Sequence, residues 1–129
     1  MKYLFDSNLL IYHLNNLLPP CGRQWIVAGL REGAAYSVMT RIEILGYPLP
    51  LDQLQTARRL LGGLIEIGLT ESILERTIAF RQCHRRLKIP DALIAATARE
   101  YALPLVTRNL SDFDKIAELS VIDPFRAWP

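Results

Sequence analysis

Short apolar runs alternate with helix-length segments along this chain, and that alternation limits the folds open to it. The runs are rich in aliphatic and aromatic residues and stop at polar residues or glycine, as buried strands do. The segments between them carry apolar residues at helical spacing. Together they predict a three-layer α/β fold, with a central, mainly parallel β-sheet and helices on both faces. The predicted strands span 3–5, 34–38, 64–69, 104–107 and 120–123, and the predicted helices span 9–14, 25–33, 40–45, 52–61, 70–87 and 90–102.

Local signals suggest where several of these elements begin. Thr40 is a suitable N-cap for the third helix, and residues 70–72 open the fifth. Pro90 falls where the first turn of a helix tolerates proline. Residues 6–8 predict a polar turn after the first strand, and residues 108–114 predict a polar loop after the fourth.

The length of 129 residues suits one domain with a core and is too short for two, so a single domain over 1–129 is predicted. The N-terminus lacks the small-residue cleavage site of a signal peptide. Residues 7–22 carry no formal charge, but asparagine and proline interrupt them, so no membrane segment is predicted. The two cysteines, Cys21 and Cys83, lie in no disulfide or metal-ligand pattern, which favours a cytoplasmic location.

Four acidic residues fall where predicted strands end or where helices begin. Asp6 follows the first strand, and Glu43 lies early in the helix after the second. Asp91 begins the last helix, and Asp112 lies in the loop after strand 104–107. In open α/β sheets, loops from several strands meet in a crevice beyond the carboxyl ends of the strands. We therefore expect four separate segments to bring four carboxylates to one crevice.

Each acid also has a simpler explanation. Asp6 suits a turn, Asp112 suits a loop or a cap, and Asp91 would gain about 0.3–1 kcal/mol from the helix dipole. Glu43 could lie on a solvated stripe of its helix. Four clustered carboxylates, however, would repel one another unless a cation is bound. Oxygen ligands favour Mg²⁺, with Mn²⁺ as an alternative, and one or two such ions suit phosphodiester hydrolysis by a metal-activated water.

Four segments of the sequence resemble the PIN-domain ribonucleases, and within them the VapC-type toxins of type II toxin–antitoxin pairs. The resemblance spans nearly the whole chain and preserves the order and spacing of the family's motifs. It implies a PIN-like fold and a Mg²⁺-dependent endoribonuclease that acts as a toxin. The segments are YLFDSNLLIY at 3–12, TRIEILG at 40–46, KIPDALIAATA at 88–98 and LVTRNLSDF at 105–113.

The resemblance also implies roles for individual residues. The metal-binding and catalytic quartet would be Asp6, Glu43, Asp91 and Asp112, with Asp6 and Asp91 as direct ligands. The positions that line the family's pocket are matched by Ser7, Thr107 and Asn109. Asp114 is an alternative to Asp112, but the family's pattern of Asn, two residues, Asp and Phe selects Asp112.

The partners implied by the resemblance are an RNA substrate and a cognate antitoxin, in a homodimer or a larger toxin–antitoxin assembly. The antitoxin's C-terminal segment would lie in a groove near the active site. Apolar residues within 14–26 could line that groove, although they are equally well explained as core. The candidates for contacts with the RNA backbone are Arg41, Arg85, Lys88 and Arg108. The basic cluster at 81–88 is explained as well by a solvated helix face.

Two other functions are compatible with the same residues. Another Mg²⁺-dependent phosphoryl hydrolase would also place acids at strand ends. A receiver-like protein would need adjacent acids after an early strand, and Asp6 has no acidic neighbour. A non-catalytic PIN-like module would bind RNA or a partner without cleaving it, although all four acids of the motif are present.

Overall fold

The computed structural model describes residues 1–126, so the end of the predicted tail, at Pro129, lies outside the described residues. The strands are β1 (Leu4–Phe5), β2 (Ala35–Ser37), β3 (Ile65–Ile67), β4 (Leu105–Val106) and β5 (Val121–Ile122). The helices are α1 (Ser7–Leu14), α2 (Pro20–Glu32), α3 (Val38–Leu45), α4 (Leu51–Gly62), α5 (Glu71–Cys83), α6 (Ile89–Glu100) and α7 (Leu110–Phe113). Within 1–126, no helix has both the length and the apolar character needed to cross a bilayer.

The five strands form one sheet in the order β3-β2-β1-β4-β5, and every neighbouring pair is parallel. The predicted α/β fold is therefore confirmed. The chain runs outward from β1 through β2 to β3, and then returns to β4 on the other side of β1. A reversal of this kind opens a crevice beyond the carboxyl ends of the two central strands. In this protein the crevice lies between the ends of β1 and β4.

Side chains that alternate along the strands divide the core into two halves. Leu4 and Leu105 pack with α5, α6 and α7 on one face of the sheet. Phe5 and Val106 pack with α1, α2, α3 and α4 on the other face. Helices thus cover both faces, which gives the three layers predicted from the sequence.

Helix α6 brings one carboxylate to the edge of this core. All seven residues from Ala92 to Ala98 are buried, and four of them are alanines, so the helix can approach its neighbours closely. Pro90 lies in the first turn, where its missing N–H costs no hydrogen bond. Asp91 follows it and is half-buried. The helix therefore presents Asp91 at its head while the next two turns pack inward.

The prediction that Thr40 caps the third helix is wrong. Helix α3 begins two residues earlier, and the Ser37 hydroxyl accepts a hydrogen bond from the Met39 N–H at 3.1 Å. Ser37 is the last residue of β2 and α3 begins at Val38, so the strand passes into the helix without a loop. Thr40 is therefore fully inside α3, and its hydroxyl binds a different partner.

Several other predicted boundaries also differ, since α1 begins at Ser7 rather than 9 and α2 at Pro20 rather than 25. In two further segments buried residues override local signals. Helix α5 ends at Cys83 rather than near 87, and the buried Leu87 turns the chain inward ahead of Pro90. The predicted polar loop at 108–114 contains the short helix α7, which the fully buried Phe113 anchors to the core.

Candidate active site

Asp6 lies at the carboxyl end of β1, beside the crevice, with only 3% of its surface exposed. Its Oδ1 accepts a hydrogen bond from the Ser7 N–H at 2.8 Å, which caps α1. Its Oδ2 accepts a hydrogen bond from the Thr107 hydroxyl at 2.6 Å, and Thr107 directly follows β4. Each carboxylate oxygen thus accepts one hydrogen bond, one from the start of α1 and the other from the end of β4. The two bonds fix the plane of the carboxylate and leave lone pairs for a ligand.

Glu43 is attached to the same region through Ser7. The Ser7 hydroxyl donates to Glu43 Oε1 at 2.7 Å, and it also lies 2.9 Å from the Thr40 hydroxyl. Glu43 is otherwise exposed on α3. Ser7 therefore contacts Asp6 through its backbone and holds one oxygen of Glu43 through its side chain.

Asp112 is attached through Asn109. The Asn109 side-chain amide donates to Asp112 Oδ2 at 2.7 Å, and the Asn109 N–H donates to the Thr107 hydroxyl at 3.0 Å. Thr107 therefore links Asp6 to the loop that carries Asp112. The alternative residue, Asp114, is the exposed C-cap of α7.

The environment of Asp6 disfavours its charge. Burial raises the pKa of Asp6 to about 6, against the opposing hydrogen bond from Thr107. The negative charges of Asp91 and Glu43 raise this pKa further. A carboxyl group is ordinarily ionised well below pH 6, so the folded chain holds Asp6 in an unusually unfavourable electrostatic position.

The pKa of Asp91 is also raised, first by burial and then by the charges of Asp112 and Glu43. Lys88 opposes this rise. Through these interactions, the four acids predicted from the sequence form one electrostatic cluster at the crevice.

The donor set of the cluster is compatible with a divalent cation. Within residues 1–126, the ion pairs formed by Lys and Arg leave out all four acids. In the same part of the chain, no three His, Cys, Asp or Glu side chains lie close enough to hold one cation directly. Mg²⁺ usually binds one or two carboxylates and keeps several waters. The buried, uncompensated Asp6 and the oxygen-only donors fit a hydrated Mg²⁺ ion with few direct protein ligands.

The four predicted basic residues are in different situations. Arg85 and Lys88 are exposed between α5 and α6, and neither forms an ion pair within residues 1–126. Arg41 Nε lies 2.7 Å from Glu66 Oε1. The Arg108 guanidinium carbon lies 4.0 Å from the centre of the Phe125 ring. Of the four, only Arg85 and Lys88 form neither an ion pair nor a ring contact within residues 1–126.

A cavity of about 840 Å³ was not predicted from the sequence. It lies where the C-terminal part of α1 faces α3 and α4. Of the apolar residues within 14–26, Leu18, Trp25 and Ile26 are core, whereas Leu17 is 60% exposed. The lining residues are Ile11, Leu14, Asn15, Asn16, Ile44, Tyr47, Leu49, Asp52, Gln53 and Thr56.

Comparisons with known proteins agree with this arrangement. Residues 3–119 match the family model of the PIN domain. Over 121 residues the chain is 31% identical to "Ribonuclease VapC10" of Mycobacterium tuberculosis, which covers 90% of this chain and 89% of that protein. It is 32% identical to a chain of a toxin–antitoxin complex from Klebsiella pneumoniae, with a TM-score of 0.78 and coverage of 98% of this chain and 100% of that one.

A chain of the DNA-bound VapBC structure from Salmonella typhimurium has the same fold, with a TM-score of 0.85 at 21% identity. That likeness covers 96% of this chain and 98% of the other. Because the family match spans residues 3–119, this chain belongs to the PIN domain family and resembles its VapC-type members over nearly its whole length.

Proposed function

We propose that this protein is a Mg²⁺-dependent endoribonuclease and the toxin of a type II toxin–antitoxin pair, acting as a single domain over 1–129. The observation that carries the proposal is Asp6, which is buried at the strand reversal and electrostatically coupled to neighbouring acids. The 31% identity to a protein named as a ribonuclease supports RNA as the substrate and phosphodiester hydrolysis as the reaction. Mn²⁺ is expected to substitute for Mg²⁺.

Each acid has a proposed role in the reaction. Asp6 and Asp91 bind the cation directly, because burial and like charge raise the pKa of both and a cation relieves that unfavourable charge. Glu43 and Asp112 complete the quartet through water, held by Ser7 and Asn109. When bound, Mg²⁺ would lower the pKa of a water and offset the charge that develops on the scissile phosphate.

The supporting side chains fix the orientation of these acids. Thr107 and the Ser7 N–H each hold one oxygen of Asp6, so its carboxylate keeps one orientation during turnover. Ser7 holds Oε1 of Glu43 and leaves Oε2 available to orient the attacking water. In the same way, the Asn109 side-chain amide holds Oδ2 of Asp112 and so fixes the orientation of that carboxylate.

Protein freed from any partner is expected to cleave single-stranded RNA in millimolar Mg²⁺ and to stop when EDTA is added in excess. Adding Mg²⁺ back should restore cleavage, which gel analysis of end-labelled RNA would measure. Cleavage that continues in EDTA would contradict the proposal. RNA binding without cleavage would favour the non-catalytic module, and hydrolysis of a phosphate monoester alone would favour another phosphoryl hydrolase.

We also propose that Arg85 and Lys88 contact the RNA backbone. Both are exposed in the segment just before α6, the charge of Lys88 acts on Asp91, and neither residue forms an ion pair within residues 1–126. Arg41 and Arg108 remain candidates, although Glu66 and Phe125 already contact their guanidinium groups. Contacts with phosphate act on RNA affinity and its salt dependence rather than on the chemical step.

The antitoxin partner is proposed to dock in the cavity formed by α1, α3 and α4. The volume of about 840 Å³ and the mixed lining suit a peptide segment with apolar side chains. Tyr47 and the neighbouring Leu51 are 67% and 70% exposed, which leaves apolar surface for a partner to cover. Helices α1 and α3 also carry Ser7 and Glu43, so the cavity shares two helices with the acidic cluster.

Tyr47→Glu is expected to weaken antitoxin binding by about 30-fold or more, because it places a charge in an apolar contact. Ile78→Glu is the matched control, since Ile78 is exposed on α5, on the opposite face of the sheet. Both variants would be co-produced with the tagged product of a neighbouring antitoxin gene, and the retained toxin and RNA cleavage measured. If the tagged antitoxin retains Tyr47→Glu as well as it retains the wild type, but loses Ile78→Glu, the antitoxin does not dock in this cavity.

We further infer that the protein acts in the cytoplasm, as a homodimer or in a larger assembly with the antitoxin. Cys21 and Cys83 are free thiols, and Cys83 is exposed, which suits a reducing compartment. Cell fractionation would test the location. Light scattering of the purified protein, with and without antitoxin, would test the assembly.

A further inference from the structure

Thr40 uses its hydroxyl differently from the other three helical threonines. Those three donate to the backbone carbonyl four residues earlier in their own helix: Thr56 to Asp52 at 3.0 Å, Thr77 to Ile73 at 2.7 Å and Thr97 to Leu93 at 2.7 Å. Thr40 is the third residue of α3, and the residue four positions earlier belongs to β2. Its hydroxyl instead lies 2.9 Å from the Ser7 hydroxyl of α1. Thr40 therefore connects two helices where the others bond within one.

The direction of this hydrogen bond follows from the protons available. A serine hydroxyl has one proton, and an ionised glutamate can only accept. Because Ser7 donates to Glu43, its proton is used, and Thr40 must donate to the Ser7 oxygen. The result is a chain of two bonds, from Thr40 to Ser7 and from Ser7 to Glu43. Each bond in such a chain polarises the next and strengthens it.

We propose that Thr40 is a positioning residue for Glu43 and acts through Ser7. Thr40 and Glu43 are three residues apart on α3, so they share a helix face and both reach Ser7. The Thr40 side chain is fully buried, so water cannot take over its bond to Ser7. Without that bond the Ser7 oxygen loses the donor that restrains it, so the Ser7 side chain can rotate and Glu43, which is otherwise exposed, loses its fixed orientation. This inference rests on the proposed function, because it assigns Glu43 to the metal-binding quartet.

Thr40→Val tests this role because valine keeps the shape of threonine and replaces the hydroxyl with a methyl group that cannot hydrogen-bond. We expect it to weaken Mn²⁺ binding about tenfold, measured by electron paramagnetic resonance without RNA. In cleavage assays it should lower kcat and leave KM for RNA unchanged. Thr40→Ser, which keeps the hydroxyl, should have the Mn²⁺ affinity and the kcat of the wild type. Ser7→Ala, which removes the middle of the chain, should weaken Mn²⁺ binding at least as much.

Thr77→Val is the matched control, because it removes a buried hydroxyl whose hydrogen bond to the Ile73 carbonyl stays within α5. It should lower Tm as Thr40→Val does and leave Mn²⁺ affinity unchanged. In a Glu43→Gln background, Thr40→Val should weaken Mn²⁺ binding no further. Wild-type Mn²⁺ affinity in Thr40→Val or in Ser7→Ala, or a folded Thr40→Ser that fails to restore it, would overturn the role of Thr40 while the nuclease proposal stands. A wild-type protein that neither binds Mn²⁺ nor cleaves RNA would overturn both.

Discussion

Asp6→Asn is expected to lower the rate of RNA cleavage at saturating RNA by about 10²- to 10³-fold or more. Asparagine has nearly the same shape, and its Oδ1 can still accept the Ser7 N–H bond that caps α1. What it removes is the charge that would bind Mg²⁺. Asp91→Asn should have a comparable effect, because it removes the second proposed direct ligand. RNA affinity should stay the same or rise, since each change removes a negative charge near the bound phosphate.

Two variants separate this effect from others. Asp123→Asn is a matched control, because Asp123 also follows a strand of the sheet, but it accepts a bond from the Phe125 N–H and pairs with Arg126. It should cleave RNA as fast as the wild type. Arg85→Ala should instead change RNA binding and leave the chemical step nearly unchanged. We expect a higher KM, a shallower salt dependence of binding and a nearly unchanged kcat. Steady-state kinetics at several salt concentrations measure all of these quantities. If Asp6→Asn and Asp91→Asn cut as fast as the wild type, the acids are not the catalytic centre.

The fold could be predicted because the hydrophobic pattern and the local helix signals of the sequence favour the same α/β arrangement. Alternation of strand and helix predicts the parallel sheet, and Pro90 predicts where α6 begins. The convergence of the four acids follows from the same topology. Asp6 lies at the end of β1, and the loop that carries Asp112 follows β4, so both come to the crevice where the strand order reverses.

The contacts that orient the acids were harder to predict, because they depend on which buried hydroxyl meets which partner. Thr40 has the local signature of a cap, and only the packing of α1 against α3 shows that Ser7 is its partner. The spacing of three residues between Thr40 and Glu43 was the available signal. The ion pair that Arg41 forms with Glu66 joins residues 25 apart in sequence, and no local pattern indicates it.

The proposed metal site should also make the metal-free protein less stable as pH rises from about 4 to about 6. The folded chain raises the pKa of Asp6 from 3.8 to about 6, so between these values the native state holds a proton that the unfolded chain has lost. Stability falls with pH wherever the native state binds more protons than the unfolded state. For Asp6 the full loss corresponds to about 3 kcal/mol. Asp91, whose pKa is also raised, acts in the same direction.

Asp6→Asn isolates this contribution from those of the other acids in the chain. In EDTA the variant should be more stable than the wild type at pH 7, by about 1–3 kcal/mol, and nearly equal to it at pH 4. Urea unfolding at both pH values measures the difference, with Asp123→Asn as the control that should follow the wild type. An Asp6→Asn protein that is less stable than the wild type at pH 7 would mean that the hydrogen bonds of Asp6 outweigh the cost of burying its charge.

Mg²⁺ should reverse the order of stability, because a cation bound to the native state stabilises it in proportion to RT ln(1 + [Mg²⁺]/Kd). At pH 7 the wild type should gain stability with Mg²⁺, whereas Asp6→Asn should gain little. Below pH 6 a proton competes with the cation for Asp6, so the affinity for Mg²⁺ should fall by up to about tenfold per pH unit. Cleavage at subsaturating Mg²⁺ should fall with it. The same buried charge that lowers the stability of the metal-free protein therefore makes the crevice bind a cation. A substitution that removes this charge must both raise the stability of the metal-free protein and lower its affinity for Mg²⁺.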